Sequence, residues 1–281
     1  MEPYKASGHG GDVYRNQVSH DFSINLNPLG MPQGVKKVLK HSVDGWARYP
    51  DPECEALKDA LAGYHHVPAE WILCANGAAD LIFQAVRILA PKKALLFAPS
   101  FSEYRQALMA AGCEIETLPL KKEQGFQPDI EAALDHITPE TGLLFFCNPN
   151  NPTGHAVPAS LVKKLADHCQ KTGTWLILDE CFCELLEQPE DFSMMPFAGH
   201  YEKLVILRAF TKTAGIRVVF FWITVSENPA GAPAVECVSS GPGGRNRSTE
   251  GAGVSEAGKN TDRDRTCMAE RPVTGAWLYG I

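Results

Sequence analysis

Three polar groups stand just beyond three apolar runs, in the order amide, carboxylate, amine. Leu143–Cys147 leads into Asn148-Pro149-Asn150-Asn151-Pro152-Thr153-Gly154. Trp175–Leu178 ends in Asp179-Glu180, and Leu204–Leu207 is followed by Thr211-Lys212. Asn151 can donate to a phenolate oxygen, Asp179 can pair with a protonated ring nitrogen, and Lys212 can form a Schiff base with an aldehyde. Together these are what a protein needs to hold pyridoxal 5′-phosphate, a cofactor whose own chemistry is that of an electron sink. Arg217 follows Lys212 closely. A neighbouring cation in a closed site makes a lysine amine easier to deprotonate, as that role requires.

The elements that must position these groups follow from hydrophobic period. Apolar residues recur at helical spacing over 34–42, 54–65 and 158–171, and helices also follow Asn76 and Pro99. Short apolar runs at 71–74, 94–98, 114–118, 143–147, 175–178 and 204–207 read as strands. Strand and helix alternate, which predicts an α/β fold with a mostly parallel sheet sandwiched by helices. Leu143–Cys147 is apolar without a break, as expected of a strand covered on both faces. In such sheets ligands bind beyond the carboxyl ends of the strands, which is where Asn151, Asp179 and Lys212 fall. Gly77, Ala78 and Ala79 open a helix after a strand, and their N–H groups can hold a phosphate with the helix dipole behind them. Tyr104, or with less weight Phe101, can stack on the pyridine ring; the alternative is a core aromatic.

Composition bounds the rest. The chain has 281 residues, 44% apolar and 21% charged, which is a soluble globular balance. A net charge of −7 argues against nucleic acid or an anionic membrane as partner. Nine cysteines at irregular spacing, with no Cys-x-x-Cys pair, point to a reducing cytoplasm rather than a disulfide framework, and no metal site is expected. The first sixteen residues lack the apolar stretch of a signal peptide, and no run approaches the roughly 18 residues of a membrane span.

Taken together, the motifs resemble those of fold-type I pyridoxal-phosphate enzymes of the histidinol-phosphate aminotransferase group. The likeness runs over about residues 3–217 and rests on His9-Gly10-Gly11-Asp12, Asn25-Leu26-Asn27-Pro28-Leu29-Gly30, Tyr49-Pro50-Asp51, Asn76-Gly77-Ala78-Ala79, Pro99-Ser100-Phe101-Ser102-Glu103-Tyr104, the Asn-Pro-Asn-Asn-Pro-Thr-Gly run, Asp179-Glu180-Cys181-Phe182 and Thr211-Lys212. His-Gly-Gly-Asp joined to a short Asn-Pro-Leu-Gly loop is most similar to the threonine-phosphate decarboxylases of cobalamin synthesis. The resemblance implies that Lys212 and Asp179 are catalytic. It implies that Gly77, Ala78, Ala79, Tyr104, Asn151, Phe182, Thr211 and Arg217 surround the cofactor, and that Tyr49 reaches the cofactor phosphate of a partner subunit in a homodimer. It assigns His9, Gly10, Gly11, Asn27, Gly30 and Asn151 to a small phosphorylated amino-acid substrate. Phe182 stands where many relatives carry a tyrosine, and Ala209 where they often carry a hydroxyl residue. The stretch from Lys212 to Arg217 is about three residues shorter than the resemblance implies.

Three segments are expected: an arm over 1–35, a cofactor-binding domain over 36–225, and an aberrant, disordered tail over 226–281. From Ser226 onward no period persists and glycine is about twice as dense as before. The C-terminal small domain that the resemblance implies, with its carboxylate-binding arginine, is absent from this reading. A frameshift would explain it: Pro233-Ala234-Val235-Glu236-Cys237 can be encoded by codons that read Gln-Pro-Trp-Asn-Val one base on. Three functions stay open at this point: a decarboxylase of L-threonine O-3-phosphate, an aminotransferase of the histidinol-phosphate type, and an inactive product of such a gene.

Overall fold

The structure, a computed structural model, describes residues 19–214 and the backbone of 220–224. The expected tail over 226–281 lies outside these residues, as do the segment 233–237, the arm's first eighteen residues and Arg217. Seven strands form one sheet: β1 (Ile72–Ala75), β2 (Lys93–Ala98), β3 (Glu114–Pro119), β4 (Leu143–Cys147), β5 (Trp175–Asp179), β6 (Leu204–Ala209) and β7 (Phe220–Thr224). Their order is β1-β7-β6-β5-β4-β2-β3. The strands from β2 to β6 pair in parallel, while β7 runs antiparallel to both β1 and β6.

Among the described residues seven α-helices accompany the strands: α1 (Gln33–Ser42), α2 (Glu55–His65), α3 (Ala78–Leu89), α4 (Ser102–Ala110), α5 (Ile130–His136), α6 (Ala159–Thr172) and α7 (Thr211–Ala214). Alternate residues of each central strand point to opposite faces, and two cores result. Leu144, Phe146, Leu176, Leu178, Leu204 and Ile206 pack with α2, α5 and α6 on one face. Leu143, Phe145, Ile177, Val205 and Leu207 pack with α3 and α4 on the other. The unbroken apolar run of β4 is thereby explained, since every one of its residues is buried. β3, at the edge, is instead Glu-Ile-Glu-Thr-Leu-Pro and is exposed at both ends, a composition that blunts an open edge.

The expected helices and strands match the observed ones to within two residues at most boundaries. The sequence reading places no element between Leu118 and Leu143, yet α5 lies there. Its start is fixed by the Asp129 side chain, which accepts from the Ala132 N–H at 3.0 Å, an N-cap that satisfies a donor the helix cannot. The reading also does not anticipate the reversal at β7, because antiparallel direction depends on how the chain returns and leaves no mark on an apolar run. Leu144, fully buried between β2 and β5, tests the packing. Leu144→Ala should lower the unfolding free energy by about 2–5 kcal/mol in denaturant titration, and a loss below about 1 kcal/mol would contradict a close-packed face.

Candidate functional site

Beyond the carboxyl ends of β4, β5 and β6 lies a cavity of about 320 Å³. Its wall takes residues from five segments: Gly77, Ala78 and Ala79 at the start of α3; Phe101 before α4; Cys147 and Asn151 after β4; Asp179, Cys181 and Phe182 after β5; Thr211 and Lys212 in α7. The parallel register places the segments side by side, with Cys147 opposite Asp179 and Asp179 opposite Leu207. Three residues singled out by type and spacing therefore meet in one hollow: Asn151, Asp179 and Lys212.

Asp179 is held from two sides. Its Oδ2 accepts from the Tyr104 hydroxyl at 2.5 Å, and its Oδ1 accepts from the Cys181 N–H at 2.9 Å. It is 5% exposed, so few waters compete for it. Two thiols flank it. Burial, then the negative charge of Asp179, push the Cys147 and Cys181 thiols well above their ordinary values, and both remain neutral wall groups. Across the cavity wall, the Lys212 Nζ sits 5.1 Å from the centre of the Phe182 ring, within cation–π range.

Asn151 belongs to a loop that its own asparagines shape. Asn148 is fully buried; its Nδ2 donates to the Val157 carbonyl at 2.8 Å and its Oδ1 accepts from the Val157 N–H at 2.7 Å. Asn150 Nδ2 donates to the Pro99 carbonyl and to Thr153 Oγ1. The loop is thus closed at its neck and tied to the segment that precedes Phe101. Gly77 enters α3 at φ +102°, a conformation that side chains disfavour. The first N–H groups of α3 have no intrahelical partner and border the cavity at Ala78 and Ala79.

The arm contributes at a distance. The Asn27 N–H donates to the Lys212 carbonyl at 3.1 Å and its Nδ2 donates to the Thr213 carbonyl at 3.0 Å. These are carbonyls that a helix of four residues cannot satisfy itself. The Asn27–Gly30 turn closes through a Gly30 N–H bond to the Asn27 carbonyl, with Gly30 at φ +72°. Neither residue lines the cavity. Tyr49 does not line it either and is fully exposed. His9, Gly10, Gly11 and Arg217 lie outside the described residues.

Tyr104 requires a correction. Its ring does not line the cavity; it is 1% exposed and stacks on Phe145 at 4.7 Å and 14°. Helical period turns position 104 inward and leaves Phe101, one turn earlier, on the wall. Phe101 meets Tyr104 edge-on at 5.6 Å. The ring available to a bound pyridine is therefore that of Phe101, and Tyr104 acts from behind through its hydroxyl.

On the other face of β5 the sequence reading missed a buried charge network. Arg208 Nη2 lies 2.6 Å from Glu180 Oε2, and both residues are at most 5% exposed. The Met194 N–H and the Ser193 hydroxyl donate to Glu180, and Arg208 also donates to Ser193. Glu184 Oε1 stands 3.6 Å from Arg208 Nη1. Each residue is an unremarkable type in the sequence, and only the β5–β6 pairing brings them together. Burial, then Arg208, then His66, lower His65 to about 3.

The sequence matches the aminotransferase class I and II family over residues 19–223. The chain belongs to that family. It is 41% identical over 192 residues to the threonine-phosphate decarboxylase of Salmonella typhimurium, covering 68% of this chain and 52% of that protein. It is 36% identical over 217 residues to a putative threonine-phosphate decarboxylase of Caldanaerobacter subterraneus, covering 77% and 58%. Histidinol-phosphate aminotransferase 2 of Ralstonia nicotianae is 34% identical over 202 residues, covering 70% and 53%. The fold is similar to the crystal structure of the histidinol-phosphate aminotransferase from Clostridium acetobutylicum, with a TM-score of 0.64 and 26% identity over 72% of this chain and 59% of that one. The chain spans about half the length of the curated relatives it matches.

Pyridoxal 5′-phosphate is the cofactor of class I/II aminotransferases, and the residues described fit it. Thr211 Oγ1 is buried beside the cavity with no hydrogen-bond partner among the described residues, which is the cost a polar group carries when its partner is a ligand. The unpaired N–H groups of α3 suit a phosphate, Asp179 suits a protonated ring nitrogen, and Lys212 suits the aldehyde.

Two predictions follow from the buried charges. Arg208→Met leaves Glu180 buried without its cation and should cost about 3–5 kcal/mol, whereas Arg208→Met with Glu180→Leu should recover most of it; chemical denaturation of both variants checks this, and equal losses would refute the pairing. His65 is held neutral in the folded state at pH values where the unfolded chain protonates it. Its contribution is therefore present above about pH 6.5 and lost as pH falls towards about 3. His65→Leu should flatten the fall in melting temperature across that window, and an unchanged slope would refute the assignment.

Proposed function

We propose that this chain carries the cofactor half of an enzyme that decarboxylates L-threonine O-3-phosphate to (R)-1-aminopropan-2-yl phosphate and CO2, a step of cobalamin synthesis. The observation that carries the reading is the joining of Asp179, Lys212 and Asn151 in one cavity, in a chain 41% identical to a threonine-phosphate decarboxylase. On this reading the compartment is a reducing cytoplasm, in keeping with the free thiols of the described cysteines. Among the described residues no helix is long and apolar enough to cross a membrane.

Bound pyridoxal phosphate supplies the electron sink for the bond broken at the substrate's α-carbon. Asp179 would face the ring nitrogen, oriented by Tyr104 and the Cys181 N–H. Asn151 offers an amide donor, and Thr211 Oγ1 with the α3 N–H groups receives the phosphate. Phe101, Phe182, Cys147 and Cys181 give the wall a largely apolar surface that keeps water from the reacting bond. Lys212 Nζ would hold the cofactor aldehyde until the substrate amine takes its place, and the freed ammonium would then supply the proton that replaces CO2 at Cα. Lys212 is the one cation on the wall among the described residues. The cations for the substrate's carboxylate and phosphate must come from outside them, from His9, Arg217, a further domain or a second copy. A homodimer suits the exposed Phe22, Leu29 and Tyr49, which cluster in sequence near the arm.

The Ralstonia nicotianae relative favours a second reading, transamination of a phosphate ester. The two differ in the bond broken. Protein incubated with cofactor and L-threonine O-3-phosphate should release CO2 without 2-oxoglutarate, and Lys212→Ala should abolish the release. Amino transfer that needs 2-oxoglutarate would support the second reading. A folded protein that binds cofactor and does neither would mark the chain as inactive.

A further inference from the structure

Tyr104, on α4, reaches Asp179 at the end of β5. Its hydroxyl donates to Asp179 Oδ2 at 2.5 Å, across 75 residues of sequence. The ring is clamped, stacked flat on Phe145 and met edge-on by Phe101. A rigid aromatic plane leaves its hydroxyl a single direction, and that direction ends on the carboxylate. The other oxygen is fixed by the Cys181 N–H at 2.9 Å. We propose that Tyr104 is a positioning residue for the cofactor, setting the orientation of the Asp179 carboxylate from behind the cavity wall. The inference rests on the cofactor reading above and goes beyond it.

The hydroxyl is suited to this task because it stays a donor. Burial, then the charge of Asp179, push the Tyr104 phenol well above its ordinary value, so it stays a protonated donor across the neutral range. A donor fixed to one oxygen prevents the carboxylate from turning away. Removing the hydroxyl while keeping the ring leaves Phe145 and Phe101 their packing partner and takes away only the bond to Oδ2.

The test is cofactor affinity in the full chain, read from the absorbance of bound pyridoxal phosphate, with the position of its band as a second readout. Tyr104→Phe should weaken binding about tenfold and shift the band. Replacing Tyr104 by 3-fluorotyrosine keeps ring and hydroxyl but makes a stronger donor, and should tighten binding. Wild-type affinity and an unmoved band in Tyr104→Phe would overturn the proposal while leaving the cofactor reading intact. If Tyr104→Phe does not fold, the fluorotyrosine protein decides: tighter binding supports the proposal and unchanged affinity overturns it. A folded wild type that binds no cofactor would overturn both readings.

Discussion

Cys147, Asp179 and Leu207 are neighbours across three parallel strands, and parallel strands must all leave the sheet at the same edge. That constraint decides where the reactive groups can be. The loop after β4, the turn after β5 and the short helix after β6 have no choice but to crowd one hollow, although their residues lie more than sixty positions apart between Asn151 and Lys212. Helices on both faces then bury β4 and β6 completely, so register is fixed by two apolar cores rather than one. A slip of one residue along β5 would exchange the faces of Asp179 and Glu180.

The two acids after β5 show how much depends on that alternation. Asp179 faces the cavity and is met by neutral donors. Glu180 faces the opposite core and meets a full cation, Arg208, with Ser193 and the Met194 N–H completing its bonds. Arg208 lies on β6, four residues before Lys212. The ion pair therefore joins the strand that ends in the acid to the strand that leads to the amine, and it does so out of reach of any ligand. A buried pair is a poor source of net stability, and its value here is that both strand ends are held at one separation.

The strands and the cavity corner were legible because each strand is a short apolar run with a distinct polar group just past its end. Asn151, Asp179 and Lys212 form a combination of types suited to one cofactor. Tyr104 was misread because its residue type fits two roles, and only helical phase, set by packing on Phe145, separates it from Phe101. The Glu180–Arg208 pair and the Asn148 clamp on Val157 were not legible at all, since each depends on partners brought near by the sheet or by a loop. β7 left no trace of its direction for the same reason. α5 did carry a local signal, Asp129 ahead of Ile130-Glu131, in a stretch too short for period to show.

Asn27 caps the carbonyls of Lys212 and Thr213 across 186 positions of sequence. In chain-statistical terms this is a loop closed by two hydrogen bonds, and closing a span of that length costs roughly 4–5 kcal/mol of entropy. Two such bonds do not offset that cost; the sheet, which holds β6 in place, must supply the rest. A change at Asn27 is consequently felt in the backbone that carries the amine.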